Sequence, residues 1–365
     1  MSKAAELANL IGNINMGGGG VGRNLFDNGS MIIAQRGTSI TNATATTLDR
    51  WNISQTTDGQ VTITQDSSVP SGSGLANSYK LDVTTADTSL SSAQRVFPHQ
   101  IIEAQNLQHL QYGTSNAKPL TLSFYVKSNV TGTYTVLFSN FDASRHRAST
   151  YTIDAANTWE QKKITISGDT AGAINDDIDG NFEIAWWLAA GSAYTSGTLG
   201  TDWQASDATD KVSSSNVNIM SSTDNEWFLT GCQLEIGQNA TTFEFEPFER
   251  TLLKCKRYLQ VYGGSSYAHF PSLGQGNLSS INWNHELPIE MRDTPTLETS
   301  GDWRVQDTYA GSYYTLSSIA ISSGDSTTKL VRGSATTSSA IGGDIGRILA
   351  YGDSSARWIY KSELG

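Results

Sequence analysis

This chain has little that could staple it, anchor it in a bilayer or mark it as a metalloenzyme. There are two cysteines, Cys232 and Cys255, in 365 residues. Cys232 falls in an alternating apolar pattern and Cys255 on a helical apolar stripe, so both read as small core residues and not as a disulfide. No run of about 18 apolar residues occurs, so no membrane-inserted helix is expected. The first twenty residues lack the basic start and apolar run of a secretory leader, so synthesis and folding in a cytoplasm are expected.

Charge is also scarce. Charged residues make up 16% of the chain, for a formal balance of −11. Between Asp169 and Asp210 stand eight acidic residues and no Lys or Arg. Such a surface repels a phosphate backbone, so nucleic acid is not an expected partner.

Signatures of catalysis are missing too. The histidines His99, His109, His146, His269 and His285 fall at no metal-ligand spacing. His285-Glu286 runs into Leu287-Pro288, which breaks the helix that a zinc motif needs. No nucleophile elbow or phosphate loop occurs. Gly17, Gly19 and Gly22 match a dinucleotide fingerprint in composition, but no strand precedes them and no helix follows. The Gly-Asp-Ser triplets at 324–326 and 352–354 are turn sequences. No cofactor is expected. Asn175, Asp177 and Asp179 place hard oxygens at alternate positions before Gly180, the first half of a calcium loop. Trp186 occupies the position of the closing glutamate, so a full EF-hand is excluded. What remains is a looser structural calcium site or a solvated acidic turn.

What the chain does have is nine Trp, fourteen Tyr and eleven Phe set among Ser, Thr, Gly and Asn. Bulky core residues with abundant turn formers predict a folded, nearly all-β protein. Ala5, Leu7, Ala8, Leu10 and Ile11 give a short N-terminal helix with Ser2 as its cap. A helix of that length is marginal alone, so Leu7, Leu10 and Ile11 are candidate anchor residues. From about 24 to 248, apolar and polar residues alternate in short runs. Leu122, Phe124 and Val126 form one such run, Tyr134, Val136 and Phe138 another, and Phe182, Ile184, Trp186 and Leu188 a third. Phe228, Cys232, Leu234 and Ile236 follow the same rule, with earlier strands expected at Met31–Gln35, Val61–Gln65 and Tyr79–Val83. Eight or more such strands predict an antiparallel β-sandwich of jelly-roll type. A short helix is expected near Gln100–Leu110, packing Ile101, Ile102, Leu107 and Leu110. An amphipathic helix over 249–262 would connect to a smaller C-terminal β domain. The expected boundaries are 1–23, 24–248, 249–262 and 263–365.

A series of ordered motifs then points to a family. Asn28-Gly29-Ser30-Met31-Ile32-Ile33-Ala34-Gln35-Arg36-Gly37 and Leu48-Asp49-Arg50-Trp51 are followed by Phe124-Tyr125-Val126-Lys127-Ser128 and Ala156-Asn157-Thr158-Trp159. Thr230-Gly231-Cys232-Gln233-Leu234-Glu235-Ile236-Gly237 and Cys255-Lys256-Arg257-Tyr258 close the series. Over roughly residues 1–260 the chain resembles the carbohydrate-binding-like module of bacteriophage tail fibres and other minor virion proteins. The resemblance implies a jelly roll used structurally or for glycan adhesion, in a fibre that is often a homotrimer. On that reading the location is the virion. The partners are other virion proteins through the N-terminal segment and a host-surface glycan, with the C-terminal domain as a distal tip.

Sugar recognition needs aromatic faces for pyranose rings and amides or carboxylates for hydroxyls. Trp187 alternates with Trp186, while Tyr194 and Trp203 sit in a long Gly/Ser/Thr loop with no periodic reason to be there. These three are the candidate glycan contacts. Packing under loops or between subunits is the competing reading. Two other classes stay open: a purely structural connector or capsid decoration, and a glycan-degrading enzyme.

Overall fold

A computed structural model describes residues 2–15, 22–41, 48–270, 274–277, 279–307, 311–338 and 345–364. The glycine stretch at 17–20 lies outside the described residues. The chain divides into two units, residues 1–251 with 364–365, and residues 252–363.

Alternation along the first unit becomes two antiparallel sheets. Its strands are β1 (Ser39–Thr41), β2 (Asn52–Gln55), β3 (Gln60–Asp66), β4 (Ser78–Thr85), β5 (Arg95–Glu103), β6 (Leu120–Ser128) and β7 (Gly132–Asn140). They continue as β8 (Arg145–Ile153), β9 (Glu160–Ile166), β10 (Gly180–Trp187), β11 (Ala189–Ala190), β12 (Gln204–Ala205) and β13 (Glu226–Ile236). One sheet runs β1-β3-β4-β13-β6-β9; the other runs β11-β5-β10-β7-β8-β12, with β2 also paired to β5. The fold is the expected jelly-roll-like sandwich. Leu120, Leu122, Phe124 and Val126 of β6 all point inward and are fully buried. Facing them, Trp186 of β10 meets Trp51 at 5.6 Å and Phe26 at 5.9 Å between ring centroids. Each such side chain contributes about 1.5–3 kcal/mol by leaving water.

Several elements differ from the sequence expectation. Met31–Ala34 is irregular, not a strand. The Asn28 amide replaces the ladder there, accepting from Ile33 N at 3.0 Å and donating to Ile33 O at 2.9 Å. Ile101 and Ile102 belong to β5, paired with Glu183 and Phe182, and only Ala104–Leu110 turns, as a 3-10 helix. The N-terminal helix α1 spans Lys3–Asn15, with Ser2 Oγ accepting from Ala5 N at 3.3 Å. α2 is a single turn, Ser192–Thr195. The connecting helix α3 is Phe248–Lys256, and Leu259–Gly263, expected to be helical in part, is strand β14. Cys232 and Cys255 are buried and free. Among the described residues, no helix is long and apolar enough to cross a membrane.

The second unit adds β15 (Gly274–Asn277), β16 (Ser280–Glu286), β17 (Thr296–Ser300), β18 (Trp303–Asp307), β19 (Tyr313–Ile321), β20 (Leu330–Thr337), β21 (Ile345–Ala350) and β22 (Arg357–Lys361). They form a three-stranded sheet, β14-β22-β17, and a six-stranded one, β15-β16-β20-β19-β18-β21. The core is aromatic: Trp358 lies 4.2 Å from Phe270, 5.1 Å from Trp283 and 5.4 Å from Trp303. Gly333 makes this packing possible. A Cβ there would sit 2.2 Å from Trp283 Cζ2 and 2.2 Å from Ala320 O.

Candidate functional site

Of the three aromatics expected to meet sugar in the sandwich, Trp187 is buried, and Tyr194 and Trp203 are half-buried in packing contacts. Trp187 points to the outer face of the second sheet, as alternation requires, but it is only 2% exposed. The segment from Ala190 to Asn218 folds over that face. There Trp187 packs 4.4 Å from Phe97 and 5.1 Å from Tyr194, with Val212 in the same small cluster. A buried ring offers no face to a ligand, so the assignment of Trp187 is corrected. Tyr194 is half-buried over Trp187, and its hydroxyl accepts from Arg95 Nη1. Trp203 is not brought to them. It is half-buried against Tyr112 at 5.9 Å and Phe182 at 6.0 Å, and its indole N–H donates to Ser167 O at 2.8 Å.

Cations from β8 hold the covering segment. Arg145 Nη2 donates to Trp203 O at 2.8 Å, and Arg147 Nη2 to Thr201 O at 2.6 Å. Asp210 lies 3.0 Å from His146 Nε2, and burial holds that imidazole below its ordinary pKa. Glu183 meets His99 Nδ1 at 2.8 Å on the same face. These groups are engaged with one another as a polar underlayer for the loop.

The acidic turn has a structural task. The carbonyl of Asp177 accepts from Gln105 N at 2.8 Å and that of Asp179 from Ala104 N at 2.9 Å, so the turn ties down the start of the 3-10 helix. Asp177 Oδ1 accepts from Asp179 N at 3.0 Å, and Asn175 N donates to Asp142 Oδ2 at 2.8 Å. Among the described residues, no group of three His, Cys, Asp or Glu side chains is placed to hold a metal ion.

Of the anchor candidates, Leu7 is 57% and Ile11 48% exposed. Leu10 is half-buried in a hollow that includes Arg23, Thr241 and Thr242. Glu6 accepts from the Thr242 hydroxyl, which seats the helix on the first unit.

The second unit carries an aromatic surface that sequence reasoning did not single out. Pairing sets Tyr313 of β19 opposite Gln306 of β18, and Gln306 opposite Arg347 of β21. All three point away from the core, because Trp303, Val305 and Ile348 alternate with them inward. Arg304, two residues before Gln306, stacks its guanidinium 4.0 Å from the ring centroid of Tyr351. Tyr351 in turn meets Tyr313 at 4.7 Å and Tyr267 at 5.6 Å. Tyr267 is 51% and Tyr313 36% exposed. Tyr267 sits at φ +64°, a left-handed backbone that costs a bulky residue energy, and its N–H donates to Ala350 O at 2.7 Å. The arrangement supplies what a sugar needs: tyrosine faces beside an amide and guanidinium donors. Two-residue alternation could have sorted Tyr313 outward from Tyr314, but the pairing that gathers Tyr267 and Tyr351 around it is non-local.

A polar groove of about 460 Å³ lies elsewhere on this unit, lined by Asn282, Asn284, Asp325, Arg332 and Ser334 among others. It has no exposed aromatic ring, and Trp283 beneath it is 3% exposed.

No family model matches the chain, and no curated protein does. Among solved structures, it is similar to the enzymatically active domain of tailspike protein 4 from bacteriophage CBA120, at 16% identity and a TM-score of 0.33. That match covers 59% of this chain and 21% of the tailspike chain. A family 11 carbohydrate-binding module from Clostridium thermocellum, bound to a β-1,3-1,4-mixed-linked tetrasaccharide, matches at 11% identity, 56% and 98% coverage and a TM-score of 0.28. A xylan-binding domain from Paenibacillus barcinonensis matches at 11%, with 55% and 94% coverage and a score of 0.25. At such identities and scores these likenesses assign neither a family nor a ligand.

Proposed function

We propose that the chain is a subunit of a virion fibre or appendage that attaches to a host-surface glycan. The observation that carries the binding half is the outward face of β19, β18 and β21, where Tyr267, Tyr313 and Tyr351 gather beside Gln306 and Arg304. Solvated polar faces seldom collect three tyrosines, and stacking on sugar rings accounts for them. The virion half rests on the ordered motifs over residues 1–260. In this reading α1 docks on the particle through Leu7 and Ile11, the sandwich is a rigid body, and the second unit meets the host. Several copies, as in a trimer, turn weak single sites into firm attachment by avidity.

The test is adsorption of particles whose subunit carries Tyr267→Ala, Tyr313→Ala and Tyr351→Ala, singly and together. Each truncation is expected to weaken binding of the isolated protein about tenfold, the usual scale for an aromatic at a recognition centre. The triple variant should abolish adsorption. Unchanged adsorption by a folded triple variant would support the purely structural connector. Release of oligosaccharides from host polysaccharide by the protein would support the enzyme class.

A further inference from the structure

We infer that the glycan taken by the tyrosine surface is an acidic saccharide, with Arg347 pairing its carboxylate. The inference rests on reading that surface as a sugar platform. The two guanidiniums on the surface are held differently. Arg304 is neutralised: its Nε and Nη2 reach both oxygens of Asp302 at 2.6–3.2 Å, and its plane lies on Tyr351. Asp353, the next acid, is occupied by the backbone N–H groups of Asp302 at 3.0 Å and Ser355 at 2.8 Å. Arg347 has no carboxylate in ion-pair range among the described residues. Its Nε donates to Gln306 Oε1 at 2.7 Å, and Nη1 lies 3.4 Å from His269 Nε2. Both neighbours are uncharged or cationic, so they orient the guanidinium without discharging it.

The placement matters as much as the charge. In a chain of net charge −11, a surface arginine ordinarily finds an acid nearby. This one is fixed by Gln306, the residue that also donates to the Tyr313 hydroxyl at 3.2 Å. A single amide therefore joins the stacking ring to the open cation, in one row across three strands. A pyranose stacked on Tyr313 would bring a ring carboxylate toward Arg347, whose planar fork suits bidentate recognition of carboxylate. A neutral sugar would leave that fork to water.

The full-length protein is titrated with polygalacturonate, alginate and polysialate, each beside its carboxyl-reduced form. At least one acidic polymer is expected to bind about tenfold or more tightly than its reduced form, the scale of one charge-assisted pair, with the difference shrinking in high salt. Arg347→Gln should erase that difference, while Tyr351→Ala should weaken binding of both forms. Equal binding of acidic and reduced forms, or a preference that survives Arg347→Gln, overturns the acidic class and leaves the platform standing. Binding of none of the six also overturns it, and adsorption of the tyrosine variants then tells separately whether the surface binds sugar at all.

Discussion

Trp186 and Trp187 follow one another in β10 and point to opposite faces. Trp186 meets Phe26, Trp51 and Phe124 inside the sandwich. Trp187 faces the other way and is buried by a loop remote from it in the pairing pattern. Alternation in the sequence separated the two faces correctly, but it carries no information about what covers the second one. The same limit applies to Tyr313 and Tyr314. Tyr314 packs on the core of the second unit and Tyr313 turns outward, yet Tyr313 gains meaning only from Tyr351, which lies 38 positions later and 4.7 Å away. Trp187→Ala should therefore act on stability, not on ligand. Loss of a buried indole costs about 3–5 kcal/mol. Thermal unfolding of the first unit should shift down accordingly, while binding of glycan by the folded variant stays at the wild-type level. A loss of binding without a loss of stability would return Trp187 to the list of contacts.

Among the elements, strands with clean two-residue alternation were legible, and those whose backbone bonds go elsewhere were not. β6 reads off the chain because Leu120, Leu122, Phe124 and Val126 all face one core. Met31–Ala34 looks equally apolar, but the Asn28 side chain takes the N–H and C=O of Ile33. A local side-chain bond of that kind competes with a ladder and leaves no periodic trace. The segment Ala190–Asn218 is the largest such case. Rich in Gly, Ser and Thr, it looks like an open recognition loop; in the structure its contacts make it a cover. Asp210 is one of its polar ties to the sheet, meeting His146 at 3.0 Å, and within the segment it accepts from Gln204 Nε2. Asp210→Ala removes the carboxylate beside a buried imidazole, a defect of about 1–3 kcal/mol. Opening of the segment should become roughly tenfold more frequent, seen as faster limited proteolysis between residues 191 and 217 with the rest of the sandwich intact. Unchanged cleavage would mean that Arg145, Arg147 and backbone bonds such as Ala148 N to Gly200 O at 2.6 Å hold the segment without Asp210.

At the scale of the whole molecule each unit has a main core of its own, and these cores carry different titrating groups. His285 is buried in the second unit, 3.3 Å from the Tyr360 hydroxyl and edge-on against the rings of Tyr262 and Phe270. Burial pushes its pKa down from the ordinary 6.5 to about 4. Below pH 6.5 the unfolded chain takes up a proton that the folded unit refuses until about pH 4. The unfolded state thus binds more protons in that window, and stability falls as pH falls through it. The loss approaches roughly 3 kcal/mol, at 1.4 kcal/mol per pH unit across the window. Calorimetry should then resolve two transitions, with that of the second unit moving down between pH 6.5 and 4. His285→Gln, which keeps a polar partner for Tyr360 but cannot take up a proton there, should remove that unit's extra pH dependence. A second transition with the same pH response in wild type and variant would show that burial of His285 is not what couples this unit to acid.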